Sequence, residues 1–284
     1  MPGSGSQGDF IAKLSLPSLV VMATNVVSQA RRGKNKSSGR SSGRAAWENV
    51  KSLAGAILIY LVINTFLIAA YRIPSGSMIP TLLVGDWLFV NRAVYGPHIP
   101  FTNSHLPSFK EPKRGEVVVF VSPYQPDEAA RGNDATPTLV KRMVGAPGDT
   151  LYMRQGVLFV NGIAQRQGFA ALARPTVTSS QPNDTDELFV WQHRIELKQS
   201  RFGGAPAQPT HDNWGPLLIP SGFYFMMGDN RYESKDSRYW GVVPRENVRG
   251  RPMFVYYSYH ADDSDRPLPF ITDIRWGRIG TRIR

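Results

Sequence analysis

Two hydroxyls stand two residues apart in the octapeptide Ile73-Pro74-Ser75-Gly76-Ser77-Met78-Ile79-Pro80, where a turn built from Pro and Gly can present a serine oxygen at a domain surface. Such an oxygen is a weak nucleophile until a neighbouring base takes its proton. Histidine is the usual base, but His98, His105, His193, His211 and His260 fall mostly in loop-like stretches, and no GxSxG elbow occurs. There is no Ser-x-x-Lys, which argues against the penicillin-binding arrangement, and no HExxH, which leaves a zinc protease unsupported. Zero cysteines exclude thiolate catalysis, disulfides and Cys-bound metal, and leave the compartment to be argued from topology.

Lysine is the remaining base, and Thr138-Leu139-Val140-Lys141-Arg142-Met143-Val144 offers one in a strand-like setting, with Leu139, Lys141 and Met143 on one face. A solvated lysine, with a pKa of about 10.4, is protonated near neutrality, but burial among apolar side chains can lower that value by roughly 3 to 5 units. The alternative is a Lys141 that snorkels at a strand edge beside Arg142. A third segment, Gly228 to Gly241 (GDNRYESKDSRYWG), concentrates charged and hydroxyl groups after the apolar run FYFMM. It reads either as a solvated loop with Asx turns, or as a place where Ser234 orients a buried neutral lysine while Asp236 and Arg238 pair to hold the loop.

Something must hold these segments in place. Ser52 to Tyr71 runs for 20 residues without a charge. At about 1.5 Å per residue, a helix of that length spans roughly the 30 Å core of a bilayer. Trp47 and Lys51 flank one end and Tyr71 and Arg72 the other, as interfacial anchors do. Residues 51–72 are therefore expected to form an uncleaved membrane anchor. Arg31, Arg32, Lys34, Lys36, Arg40, Arg44 and Lys51 lie in the Gly/Ser-rich stretch before it, which the positive-inside rule keeps in the cytoplasm, placing residues 73–284 outside. Residues 1–50 form a leader in which 14–30 is a weak candidate for a first span. The net charge is +11, but residues 1–51 alone carry eight Lys/Arg against two Asp/Glu, so over half of the excess belongs to this leader. With no nucleic-acid-binding module in sight, a nucleic-acid partner is not expected.

Beyond Arg72, short apolar or alternating runs broken by Gly, Pro and Asn predict a mainly β domain. Strands are expected at 87–90, 116–121, 139–144, 150–153, 157–160, 223–227 and 251–257. Residues 101–113, 124–138 and 165–216 read as insertions on that scaffold.

Taken together, RIPSGSMIPTLLVGDWLFVNRAVYG, VKRMVGAPGDTL and MMGDNRYESKDSRYWGVVP, in this order and behind an anchor, resemble the bacterial type I signal peptidases. The resemblance covers roughly half of the external domain. It implies a coiled antiparallel β-sheet catalytic domain behind one or two transmembrane helices. It also implies a Ser/Lys dyad in the inner membrane, facing the periplasm, that cleaves N-terminal signal peptides through an acyl-enzyme. On this resemblance Ser77 is the nucleophile, Lys141 the general base, Ser75 an oxyanion donor and Ser234 the residue that orients the lysine. Asp236 and Arg238 are the supporting pair, and Ile73, Pro74 and Met78 fall in the substrate pocket. No metal or cofactor is implied. The partners implied are preproteins with small residues before the cut and the lipid bilayer, with no obligate protein partner. Tyr232, Glu233 and Lys235 depart from the pattern, and Lys235 places a second lysine near Ser234, expected to be solvated. The rival readings are a self-cleaving Ser/Lys regulator and a catalytically idle membrane-anchored β adaptor.

Overall fold

In the computed structural model, the described residues are 12–13, 42–99, 102, 104, 106–165, 190–197, 200–206 and 209–284. The candidate first span at 14–30 lies outside them, as does most of the insertion at 165–216. Helix α1 covers Ser42–Val62 and runs through one π-turn, Ile63–Leu67, directly into strand β2, Ile68–Arg72. The stretch Trp47–Leu67 is long and apolar enough to cross a membrane, and none of it is buried against the rest of the chain. The expected anchor therefore ends short of Arg72. Residues 68–72 are extended, with Ala69 and Tyr71 facing the core, because their backbone pairs with the next strand.

The remaining strands are short β1, Ala12–Lys13, then β3, Asp86–Asn91; β4, Val117–Val121; β5, Thr138–Gly145; β6, Thr150–Arg154; β7, Val157–Val160; β8, Ile163–Ala164; β9, Trp214–Leu218; β10, Phe223–Met227; β11, Val243–Pro244; and β12, Val248–Ser258. Every pairing is antiparallel. One sheet has the order β1-β2-β3-β12-β4-β5-β10-β11 and a smaller one the order β8-β7-β6-β9. Strand β12 serves both β3 and β4, and register shifts at Val248/Gly250, Pro252/Phe254 and Val255/Tyr257 let it bend between them.

β3 alternates as its sequence does, with Asp86, Leu88 and Val90 buried and Trp87, Phe89 and Asn91 partly open. β4 is an unbroken apolar run, and Val117, Val118, Val119 and Phe120 are all buried, so both of its faces are covered. One core cluster joins Tyr71, Ile73, Met78, Leu82, Leu88, Val119, Val140 and Val255. A second holds the small sheet against β5 and β10, with Trp214 stacked on Phe225 at 5.4 Å. β9 was not expected, since its first three residues fall within the stretch 165–216 that reads as an insertion. It is an edge strand, the position where a proline without an N–H is tolerated. The insertion at 124–138 carries a one-turn helix, Pro126–Ala130, and its last residue opens β5.

Candidate active site

Ser77 sits in the 3-10 turn Gly76–Met78, between β2 and β3. The ends of this connection are tied together, because Ile73 N–H donates to the Asp86 carbonyl at 2.8 Å and Gly85 N–H to the Ile73 carbonyl at 2.9 Å. Lys141 stands in the middle of β5 opposite Val118 of β4, on the same face as buried Leu139 and Met143, as the alternation predicts. Its Nζ lies 2.6 Å from Ser77 Oγ, across 64 residues of sequence. The lysine is 0% exposed and the serine 4%.

The loop after β10 closes over this pair. Asn230 N–H donates to the Ser77 carbonyl at 3.0 Å, and Asn230 Nδ2 donates to the Gly76 carbonyl at 3.2 Å and to the Glu233 carboxylate at 2.9 Å. Gly228 is the point of closest approach. A Cβ there would fall 2.6 Å from the Ser77 carbonyl oxygen and 2.2 Å from Ser234 Oγ, so only glycine lets the loop sit this near the Ser77 turn. Ser234 is buried beside it, and its hydroxyl has no hydrogen-bond partner. The structure thus brings Ser234 to the site without forming a hydrogen bond to Lys141.

Asp236 and Arg238 form a buried bidentate pair, with Nε to Oδ1 at 2.8 Å and one terminal nitrogen to Oδ2 at 2.9 Å. Gly228 N–H also donates to Asp236, at 3.0 Å. Burial alone would push the Asp236 carboxyl up, but the Arg238 charge and hydrogen bonds, the Gly228 N–H and the Lys141 charge hold it down at about 2. Arg231, on the same loop, donates from Nε to the Gly228 carbonyl at 2.9 Å. Burial and the neighbouring Arg238 charge lower its guanidinium to about 10.

A second buried pair was not expected from the sequence. Arg142, next to Lys141 and on the opposite face of β5, holds Asp229 through two bonds of 2.8 and 2.7 Å, and Thr81 Oγ donates to the same carboxylate at 2.6 Å. This links the lysine strand, the loop after β10 and the segment after the Ser77 turn. Adjacency to a buried lysine in a strand was the available signal, since i and i+1 face opposite sides and two buried cations need separate partners.

Ser75 precedes the Ser77 turn in an extended conformation and is partly buried. Ile73 and Met78 pack into the core cluster beside Ser77, and Pro74 is half-buried. Lys235 does not join the Ser77 and Lys141 pair. Its Nζ meets Asp127 at 2.6 Å and Glu128 at 2.8 Å, so the side chain expected to be solvated is ion-paired and 27% exposed. His193 and His260 face Glu196 and Asp263, and His211 packs edge-on to Tyr239. Among the described residues no group of three His, Cys, Asp or Glu is placed to hold a metal ion.

The arrangement is suited to acyl transfer, with a hydroxyl and an amine in contact, water-poor walls and polar backbone around them. Residues 46–257 match the family model described as signal peptidase, peptidase S26. The chain is 36% identical over 220 residues to the signal peptidase I of Pseudomonas fluorescens and to that of Pseudomonas aeruginosa, covering 74% of this chain and 72% of each relative. It is 32% identical over 228 residues to the signal peptidase I of Aquifex aeolicus, covering 71% of this chain and 80% of the relative.

Proposed function

Because the chain belongs to the signal peptidase family, peptidase S26, and is on that ground a serine endopeptidase that cleaves signal peptides from preproteins, we propose that Ser77 is its nucleophile and Lys141 its general base. The observation that carries this reading is the 2.6 Å contact between Lys141 Nζ and Ser77 Oγ, with both residues buried. Burial penalises the ammonium, so the amine can be neutral at working pH and accept the proton from Ser77 Oγ–H. The freed oxygen attacks the scissile carbonyl carbon. The oxyanion that forms takes hydrogen bonds from the Ser77 backbone N–H and the Ser75 hydroxyl. The Lys141 ammonium then gives its proton to the leaving amine, and the C–N bond breaks to leave an ester on Ser77. Neutral Lys141 next activates a water that hydrolyses the ester.

Ser234 orients the lysine in this scheme, an unpaired buried hydroxyl being free to turn towards the amine once it is neutral. Arg238 has a specific part. Asp236 lies close enough for its charge and that of Lys141 to act on one another, and an uncompensated carboxylate there would hold the lysine protonated. By pairing with Asp236, Arg238 leaves Lys141 free to lose its proton. Ile73, Pro74 and Met78 are assigned to shallow apolar pockets that admit only small residues at the positions one and three before the cut, with half-buried Pro74 nearest the surface and the core residues Ile73 and Met78 backing it.

The apolar helix crosses the cytoplasmic membrane, residues 31–51 lie on the cytoplasmic side, and the β domain works at the external face. Single-turnover cleavage of a purified preprotein, with sequencing of the new N-terminus, tests the dyad. Ser77→Ala should form no acyl-enzyme, and cleavage at an unchanged rate would overturn the assignment. Ser75→Ala should fold and lower kcat by about 10² to 10³ with little change in KM. An unchanged kcat would remove Ser75 from the mechanism.

A further inference from the structure

The second lysine of the signature loop has no part in the proton transfers above, yet it occupies a built position. Lys235 reaches across to the helix Pro126–Ala130, where its Nζ sits between Asp127 Oδ2 at 2.6 Å and Glu128 Oε1 at 2.8 Å. Glu128 is itself buried and takes further bonds from Asn133 at 2.8 Å and Arg131 at 3.3 Å. The loop that carries the helix is closed at its base, since Ser122 N–H donates to the Pro137 carbonyl at 2.9 Å and Gln125 N–H to the Ala135 carbonyl at 2.8 Å. It ends at Thr138, the first residue of the strand that bears Lys141. Lys235 therefore fastens the loop after β10 to a block continuous with the lysine strand.

On the inner side, the residue before Lys235 is held loosely. The Ser234 hydroxyl has no partner, and its carbonyl accepts from Arg238 only at 3.4 Å. We propose that the ion-paired clasp of Lys235 with Asp127 and Glu128 is a positioning device for the cleavage reaction, setting where Ser234 stands relative to Lys141. Lys235 is thus a positioning residue and not a second base, its Nζ taken up by two carboxylates away from Ser77. Burial would raise both carboxyls, but the Lys235 hydrogen bond and charge, together with the Arg131 charge at Asp127 and the Asn133 hydrogen bond at Glu128, hold them below their ordinary values. The clasp rests on the reading that Ser234 orients Lys141, so its test includes Ser234.

The test uses the full chain in detergent, with kcat, KM and thermal unfolding measured on one preprotein for Lys235→Met, Lys235→Arg, the double variant Asp127→Asn/Glu128→Gln, the triple combination and Ser234→Ala. The charge-removing single and double variants should each lower kcat about tenfold with KM kept within about twofold. The triple should be no slower than either, because all three changes break one interaction. Lys235→Arg should cleave nearly as the wild type does. A double variant with lowered unfolding temperature and unchanged kcat would reduce the clasp to a structural tie and overturn the proposal. So would a Lys235→Met that loses activity while the carboxylate double does not, since Lys235 would then act on its own. If Ser234→Ala cleaves at the wild-type rate, the reading of Ser234 fails, and the clasp with it. If Ser234→Ala is impaired and the clasp variants are not, the clasp alone fails.

Discussion

An arginine at position 141 would keep the charge and nearly the length of the side chain, yet it could not act as a base, because a guanidinium stays protonated in proteins. Lys141→Arg should therefore be as inactive as Lys141→Ala in single-turnover cleavage, and robust turnover by the arginine variant would leave Ser77 without its partner. Gly228→Ala tests the other side of the dyad. Its methyl group would meet the Ser77 carbonyl oxygen at 2.6 Å, a backbone atom that cannot swing aside, so the loop must retreat. Loss of most activity is expected, with about 1 to 3 kcal/mol of stability in denaturant unfolding, and a fully active alanine variant would refute the close approach. The alternation of Leu139 and Met143 offered a buried Lys141 but left a lysine snorkelling at a strand edge open, and the pairing of β5 with both β4 and β10 decides for burial. The partner of Arg142 was not legible, because Asp229 lies 87 residues away in a segment whose composition reads as solvated loop.

The pair Asp236 and Arg238 acts as an element of its own, pinning the loop after β10, and its charge state has a consequence for stability. The Asp236 carboxyl is held at about 2 in the fold, below its value of about 3.9 in an unfolded chain. A depressed carboxyl stabilises the fold above the unfolded value, so a contribution of about 2 kcal/mol is present above roughly pH 4 and is lost as the pH falls towards 2. In the double variant Asp236→Asn/Arg238→Met this part of the acid unfolding curve should vanish, and an unchanged curve would show that Asp236 does not carry it. Arg238→Met alone leaves the carboxylate facing Lys141. Its rate against pH should need a higher pH by about one unit, with recovery in the double variant, and an unmoved profile would separate Arg238 from the base. The seven strands expected from alternation all occur, with ends differing by up to three residues. β2 and β9 were hidden for different reasons. The apolar run through Tyr71 looks like more membrane helix until its backbone finds β3, and a strand containing Gly-Pro is tolerated only because it lies at an edge.

The apolar helix and the site are joined by very little chain. The helical stretch ends at Leu67, β2 follows at once, and Ser77 comes ten residues later, so at about 3.3 Å per residue the proposed nucleophile lies within roughly 35 Å of the helix end. With the helix crossing the membrane as proposed, a domain so tethered would work close to the face from which the helix emerges, and a substrate held in the bilayer by its signal segment would arrive at that same face. Which face this is depends on charge. Residues 31–51 carry seven Lys/Arg and one Asp/Glu, and the proposed orientation rests on the positive-inside rule applied to this excess, whereas a self-cleaving regulator of the same chemistry would need its β domain in the cytoplasm instead. A reporter fused after Arg284 should be active if it requires the external compartment and silent if it requires the cytoplasm. Protease added to intact cells with a permeabilised outer layer should degrade the β domain and spare the segment 31–51. Replacing Arg31, Arg32, Lys34, Lys36, Arg40 and Arg44 by glutamine should weaken the bias and allow part of the population to insert the other way, with cleavage of exported preproteins falling in proportion. A cytoplasmic reporter that is fully active in the unmodified chain would reverse the orientation and place the Ser77 site on the wrong side of the membrane for preprotein cleavage.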